Sequence, residues 1–225
     1  MNLSARHIFG IISLGLIPLF LTGPWGCAKV AYETSRQDKL EAARELSYRY
    51  ERVSSHTERL AISSAGIKAA LACIDERPRE PGCYYYHAVN VGLYYKSRVV
   101  GYQDGIRQMI QDCQKVIELD PSYENGGAYR ILGMIYTELP RTSFRPDSIV
   151  KDTDKAIKYL KKAVEIAPGY PENHIALSKA YLEAGDIPNS AGSLKVAMEL
   201  LPKWKGHRDF SAWKKEADKL LADLK

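Results

Sequence analysis

The chain has 225 residues, 32 basic against 27 acidic, for a formal net charge of +5. That mild excess, with no dense Lys/Arg run interleaved with aromatics, argues against nucleic acid as a partner. Its four cysteines include no CxxC pair and none of the usual metal spacings, so neither a metal site nor a cofactor is expected.

Met1–His7 carries Arg6 and no acid, and Ile8–Ala28 is then uncharged and rich in Ile, Leu and Phe. A basic start followed by an apolar run reads as an export signal, to be left out of the fold. The small Gly26 immediately before Cys27 resembles the site of bacterial lipoprotein signal peptides, where the Cys becomes the lipidated first residue. That resemblance implies a signal peptide over 1–26, a lipidated tether over 27–35, and membrane attachment through Cys27. Pro24 stands where the family usually has Leu. Two alternatives stay open: cleavage after Ala28, since Gly26 and Ala28 form a small-x-small pair, or retention of the 21 uncharged residues as a spanning anchor. All three export the remainder, and the expected location is the bacterial cell envelope, lipid-anchored and facing the periplasm.

A helical domain is expected over 36–225. Leu40, Ala43, Leu46 and Tyr50 recur at helical spacing and predict a first helix over about 36–52. Thr57 is expected to cap a second, carrying Leu60, Ile67, Leu71 and Ile74 and ending before Pro78. Pro78, Pro81 and Gly82 close this pair. Cys73 and Cys83 flank that short loop, and in an oxidising compartment a bridge between them is sterically reasonable. The next unit opens at Cys83 with Gly92 as its small contact residue. Its second helix is expected from Gly105 to Leu119, with Met109, Cys113 and Val116 inward and Pro121 as the stop. The turn Lys96–Asp104 reads as about five residues longer than the last repeat needs.

From Tyr129 onward the chain repeats itself. Tyr129, Leu132-Gly133 and Tyr136, followed by Ala156, Leu160, Ala163 and Pro168, are matched by His174, Leu177-Ser178 and Tyr181, followed by Ser190, Leu194, Ala197 and Pro202. Pro168 and Pro202 are 34 residues apart. Such a period marks a helix–turn–helix array, and the order aromatic, Leu, small residue, Tyr, Ala, large apolar, Pro resembles the tetratricopeptide repeat. The small residue lets the second helix approach closely, and Pro stops it. The expected fold is therefore all-α, with clear repeats over 125–168 and 169–202 and a C-terminal capping helix within 207–225. In that cap Trp213, Ala217, Leu220 and Leu224 form one stripe, which covers the last apolar face.

Gly133 to Ala156 is 23 residues against 12 from Ser178 to Ser190, so Thr137–Asp152 carries an insertion. Pro140 and Pro146 forbid a plain helical extension there. Insertions in repeat arrays emerge on one face, often the binding face, and Phe144 between Arg141 and Arg145 marks this one for partner contact. A tolerated surface loop is the equal alternative.

A second resemblance spans 36–202. Tyr85–Tyr95 with Ala88-Val89-Asn90 and Gly92, then Gly126-Gly127-Ala128-Tyr129-Arg130, Leu132-Gly133, the inserted Leu139-Pro140 and Ala163–Pro168 are similar to the T component of bacterial TRAP-type transporters. That resemblance implies an exported, often lipidated helical protein with degenerate repeats around a pore that takes apolar ligands.

No phosphate-cradling glycine loop, HExxH or GxSxG is present, and no acid–base pair or nucleophile assembles, so an enzyme is not expected. His56 and His207 read as solvated, and His174 as a packing residue in the aromatic's place. His87 beside Tyr84–Tyr86, with Asn90, Tyr86 and Tyr94, is a possible binding surface; a helix-to-helix hydrogen bond is the equal alternative for Asn90. The expected function is non-catalytic: a membrane-anchored scaffold capturing an envelope protein or peptide on a concave repeat face. The alternative is an accessory subunit of a TRAP-type solute transporter handling a small apolar ligand. An apolar tunnel under Tyr84–Tyr95 and Thr137–Asp152 favours the second, and an open polar groove the first.

Overall fold

A computed structural model describes residues 38–98, 100–143 and 145–224. The expectations for the signal peptide, Cys27, the tether and Phe144 lie outside the described residues. Helix α1 spans Lys39–Arg52, α2 His56–Glu76, α3 Pro81–Ser97, α4 Tyr102–Leu119 and α5 Tyr123–Glu138. Then come α6 at Thr153–Ile166, α7 at Pro171–Glu183, α8 at Ile187–Leu200, a 3₁₀ turn over Leu201–Trp204, and α9 at Phe210–Asp223. Among the described residues there is no strand, and no helix is long and apolar enough to cross a membrane.

Local chemistry sets most of these ends. Asp38, Ser55, Asp152 and Asp186 each turn a side-chain oxygen onto a free amide of the following first turn. Pro81 and Pro171 occupy first turns, where the missing N–H costs nothing. The cap of α2 is thus Ser55 rather than Thr57, because Ser55 stands in extended backbone and can reach back to the amide of Glu58 at 3.4 Å.

The helices pair in order as α1/α2, α3/α4, α5/α6 and α7/α8, with α9 packed on α7 and α8. Each first helix also touches the first helix of the next pair, so α1, α3, α5, α7 and α9 form one row. Within a pair, a small residue on the first helix receives a larger one from the second. A Cβ built on Gly133 would lie 2.3 Å from Leu160 Cγ, and one on Gly92 would lie 2.9 Å from Met109 Cε. In the last pair the contact is polar. Ser178 Oγ donates to the carbonyl of Ser190 at 2.9 Å, and Ser190 Oγ returns a bond to the carbonyl of Ser178 at 2.8 Å.

Two local expectations are corrected. The inward stripe of α2 is Ile62, Ser63, Gly66, Ala70 and Cys73, while Leu71 is 45% exposed. Close approach to α3 selects the small residues: a Cβ on Gly66 would collide with Asn90, leaving no room for a stripe of leucines. The extra length around Lys96–Asp104 is not a long turn either. It is absorbed into α3 and α4, of 17 and 18 residues, against 13 and 14 for α7 and α8.

Cys73, in the last turn of α2, and Cys83, in the first turn of α3, are bonded, with Cα atoms 5.4 Å apart. Cys113 is free and fully buried, and burial pushes its thiol pKa upward. Replacing Cys73 and Cys83 by Ser should lower stability by about 2–3 kcal/mol, since so short a loop removes little entropy from the unfolded chain. Non-reducing peptide mapping together with melts checks this. Free thiols at both positions, or an unchanged melt, would contradict it.

Candidate functional site: the face of the first helices

Side chains that link neighbouring first helices define a continuous surface. At the N-terminal ends of α3 and α5, Tyr86 is the hub. Its hydroxyl accepts from Arg44 Nε at 3.2 Å, meets Tyr48 Oη at 3.0 Å and donates to Glu124 Oε1 at 2.7 Å. Burial, and then the bond to Glu124, raise the pKa of Tyr86, so the phenol stays protonated as a donor. Next along the row, Arg130 on α5 is 5% exposed and reaches Glu172 at 3.1 Å and Asn173 Oδ1 at 2.9 Å on α7. Burial alone would disfavour its charge, but Glu172 and the surrounding oxygens more than offset that, and the guanidinium pKa is raised. The guanidinium also lies over the Tyr170 ring.

This cluster holds an unusual piece of backbone. Glu124, Asn125 and Gly126 are consecutively left-handed, with φ of 49°, 58° and 74°. Non-glycine residues rarely adopt that region, and each costs about 1–2 kcal/mol there. Asn173 holds the turn through an amide bond to the carbonyl of Asn125 at 3.0 Å, and Tyr86 holds the Glu124 side chain. Gly126 closes on the backbone of Ala163, where a Cβ would lie 3.2 Å from Ala163 Cα.

At the other ends of the same helices a second charged edge runs through Glu51 and Lys96, 3.5 Å apart, and through Lys179 to Glu138 and Glu216. Between the two edges, Met134 is 42% exposed, one turn from both Arg130 and Glu138, and Val89 and Leu93 on α3 are half-buried. The face therefore offers an apolar middle between two charged margins. Beyond it, the Arg208 guanidinium of the segment before α9 lies over the Tyr48 ring of α1, so that connecting segment meets the first helix of the row.

The sequence-predicted site divides. Tyr86, His87 and Asn90 are 2%, 4% and 0% exposed, so none of them is a free binding group. Tyr86 is occupied by its network. His87 pairs with Asp112 of α4 at 2.7 Å, and Gln108 donates to the other oxygen of that carboxylate. Asn90 donates to the carbonyls of Ala43 at 3.0 Å and Tyr86 at 2.7 Å, the helix-to-helix alternative. Tyr94 is half-buried, packs edge-on against Tyr95 and accepts from Arg98 at 2.7 Å. His174 is buried with Nε2 2.8 Å from the carbonyl of Pro168. His207 is not simply solvated, because it stacks on Trp213 with ring centroids 4.5 Å apart.

In the insertion, Leu139 turns into the core beside Ile106 and Ile135. Arg145 and Arg107 both bind Asp147, and the bond from Arg145 holds that carboxyl below its ordinary value. Arg141 extends to the carbonyl of Glu183 at the end of α7, and Lys151 pairs with the Glu183 carboxylate at 2.6 Å. Gln103 clamps the backbone of Ile149 from both sides, donating at 3.0 Å and accepting at 2.9 Å. Beside it lies an open hollow of about 510 Å³, lined by Tyr136, Ser148–Thr153 and Lys155. It is not an enclosed apolar tunnel. Beneath Tyr84–Tyr95 the space is filled by Tyr85, Tyr86, Ala88, Cys113 and Val116.

Arg44, Tyr48, Glu124, Arg130 and Glu172 escaped the sequence reading. The signal was present in the repeat's own register: Arg130 follows Tyr129, and Glu172 stands two residues before His174. Those offsets lie on the side of a first helix that faces the neighbouring first helix.

Stacked helix pairs with a shared row of first helices define a helical-repeat protein. Residues 150–201 match the family model described as Tetratricopeptide repeat, so the chain contains that repeat over this segment. Among solved structures it is similar to TTC0263, a thermophilic TPR protein of Thermus thermophilus. The TM-score is 0.50 at 17% identity, covering 81% of this chain and 89% of that one. Two others are a MamA RS-1 ArsTM double mutant and a MamA protein. The first has a TM-score of 0.47 at 15% identity and covers 83% of this chain and 97% of its own. The second has a TM-score of 0.34 at 17% identity and covers 73% and 96%. No curated protein matches the chain.

Proposed function

We propose that this protein is a non-catalytic scaffold of the bacterial envelope, lipid-anchored through Cys27, that captures a protein or peptide on the row of first helices. The observation that carries the reading is the exposed Met134 on α5, with half-buried Val89 and Leu93 on the neighbouring first helix α3, set between two charged margins. An apolar strip with a polar rim suits a peptide better than a small apolar solute, which needs an enclosed pocket. The insertion contributes Arg141, which extends to the end of α7, and Arg145, which with Arg107 of α4 holds Asp147.

A photo-crosslinking residue placed at Met134 should give discrete adducts in living cells, and one at Leu71, on the second helix α2, should give none. Replacing Arg141 and Arg145 by Ala should lower the Met134 adducts several-fold without changing the melt. Equal adducts from both positions, or none from Met134, would overturn the reading. Mass spectrometry of the mature N-terminus tests the anchor separately. A diacylglyceryl Cys27 is expected, and an amino terminus at Lys29 or an intact Met1 would reject it.

A further inference from the structure

The end of the array is less finished than its middle. The outer face of a terminal helix is ordinarily polar, because nothing stacks beyond it. Here, among the described residues, four of the seven exposed large hydrophobic side chains, Ile187, Val196, Met198 and Leu221, lie on α8 and α9. Met198 and Leu221 border a hollow of about 540 Å³ between the two helices, floored by Ala191, Leu194 and Leu224. In the array's own geometry this is where the second helix of a fifth pair would pack, since α9 behaves as a first helix without a second. Two exposed apolar side chains, Met198 and Leu221, over an apolar floor make this hollow the candidate association site.

The charges at its edge say what covers it. Lys195 and Glu199 border the hollow one helical turn apart. Both are exposed, and Lys preceding Glu is the less favourable order for pairing along a helix. A two-fold axis passing beside position 197 resolves this. It sets Lys195 opposite Glu199 of the partner subunit and Glu199 opposite Lys195 of the partner subunit, and it brings Met198 against Met198 of the partner subunit. A surface that complements itself under a two-fold rotation is what an isologous dimer requires.

We propose that a second copy of this chain packs antiparallel on the α8–α9 hollow, making the protein a two-fold dimer joined at its C-terminal end. This proposal does not depend on the capture function, because the hollow is lined by α8 and the end of α9 and by none of the residues of the capture strip.

Light scattering on the full chain in detergent micelles, after subtraction of the detergent, should give the mass of two chains. Met198→Glu should raise the dimer dissociation constant about tenfold or more while leaving the helical circular dichroism and melt unchanged, since Met198 is exposed. Lys195→Glu alone and Glu199→Lys alone should each weaken the dimer, and the double exchange should restore it. A buried structural role would not show that rescue. A single-chain mass at all concentrations overturns the proposal. So does an assembly of any size that Met198→Glu leaves intact, because the contact would then lie elsewhere.

Discussion

Gly133→Leu should lower the melting temperature by about 6–12 °C, the shift that about 3 kcal/mol produces in a domain of this size. Gly133 has no Cβ to spare: one placed there would sit 2.3 Å from Leu160 Cγ, and Leu160 is itself fully buried in the centre of α6. Either α6 moves away from α5, or Leu160 abandons its rotamer, and both disrupt the core that Tyr136, Ala156, Leu177 and Tyr181 share. Gly133→Ala should show the same effect at smaller size. A thermal melt with an unchanged midpoint for the Leu variant would mean that the two helices do not touch at this position.

Asn173→Ala should cost about 3 kcal/mol, because it strands several buried partners at once. The Asn173 amide donates to the carbonyls of Asn125 and Ala163, at 3.0 Å and 2.9 Å, and its oxygen accepts from Arg130 at 2.9 Å. With the side chain truncated, the left-handed turn at Glu124–Gly126 loses its fastening, and Arg130 keeps only Glu172 as a strong partner. The expected signature is a lowered melt together with new protease cleavage between 120 and 127. Unaltered cleavage in that segment would show that the turn is held by its own glycine and not from α7.

Much of the fold was legible because the repeat writes its packing rule in residue size. Gly133, Ser178, Ala156 and Ala163 are small where two helices meet, and that pattern survives in one dimension. The α2 stripe was harder to read, because Leu60, Ile67 and Leu71 give a stronger apolar signal than Gly66 and Ala70. The tight contact with Asn90 nevertheless selects the weaker one. The site was less legible still. Tyr86, His87 and Asn90 are polar residues in an aromatic stretch, and sequence alone does not tell whether such groups find partners across a helix interface. Here Ala43, Asp112 and Glu124, 25 to 47 residues away, supply them. Arg130 and Glu172 form their pair from different repeats, 42 positions apart in the chain, where no local spacing announces it.

The contact between Arg208 and Tyr48 has a mechanical consequence. An open solenoid behaves as a spring whose pitch and curvature vary together, so its concave width is set by whatever it holds. A clasp from the last connecting segment to the first helix adds a weak restraint to that spring. A single guanidinium over a partly exposed ring is worth about 0.5–1 kcal/mol, close to thermal energy, so this clasp opens and re-forms continually. A partner that spreads the row of first helices must therefore part Arg208 from Tyr48, at that small cost.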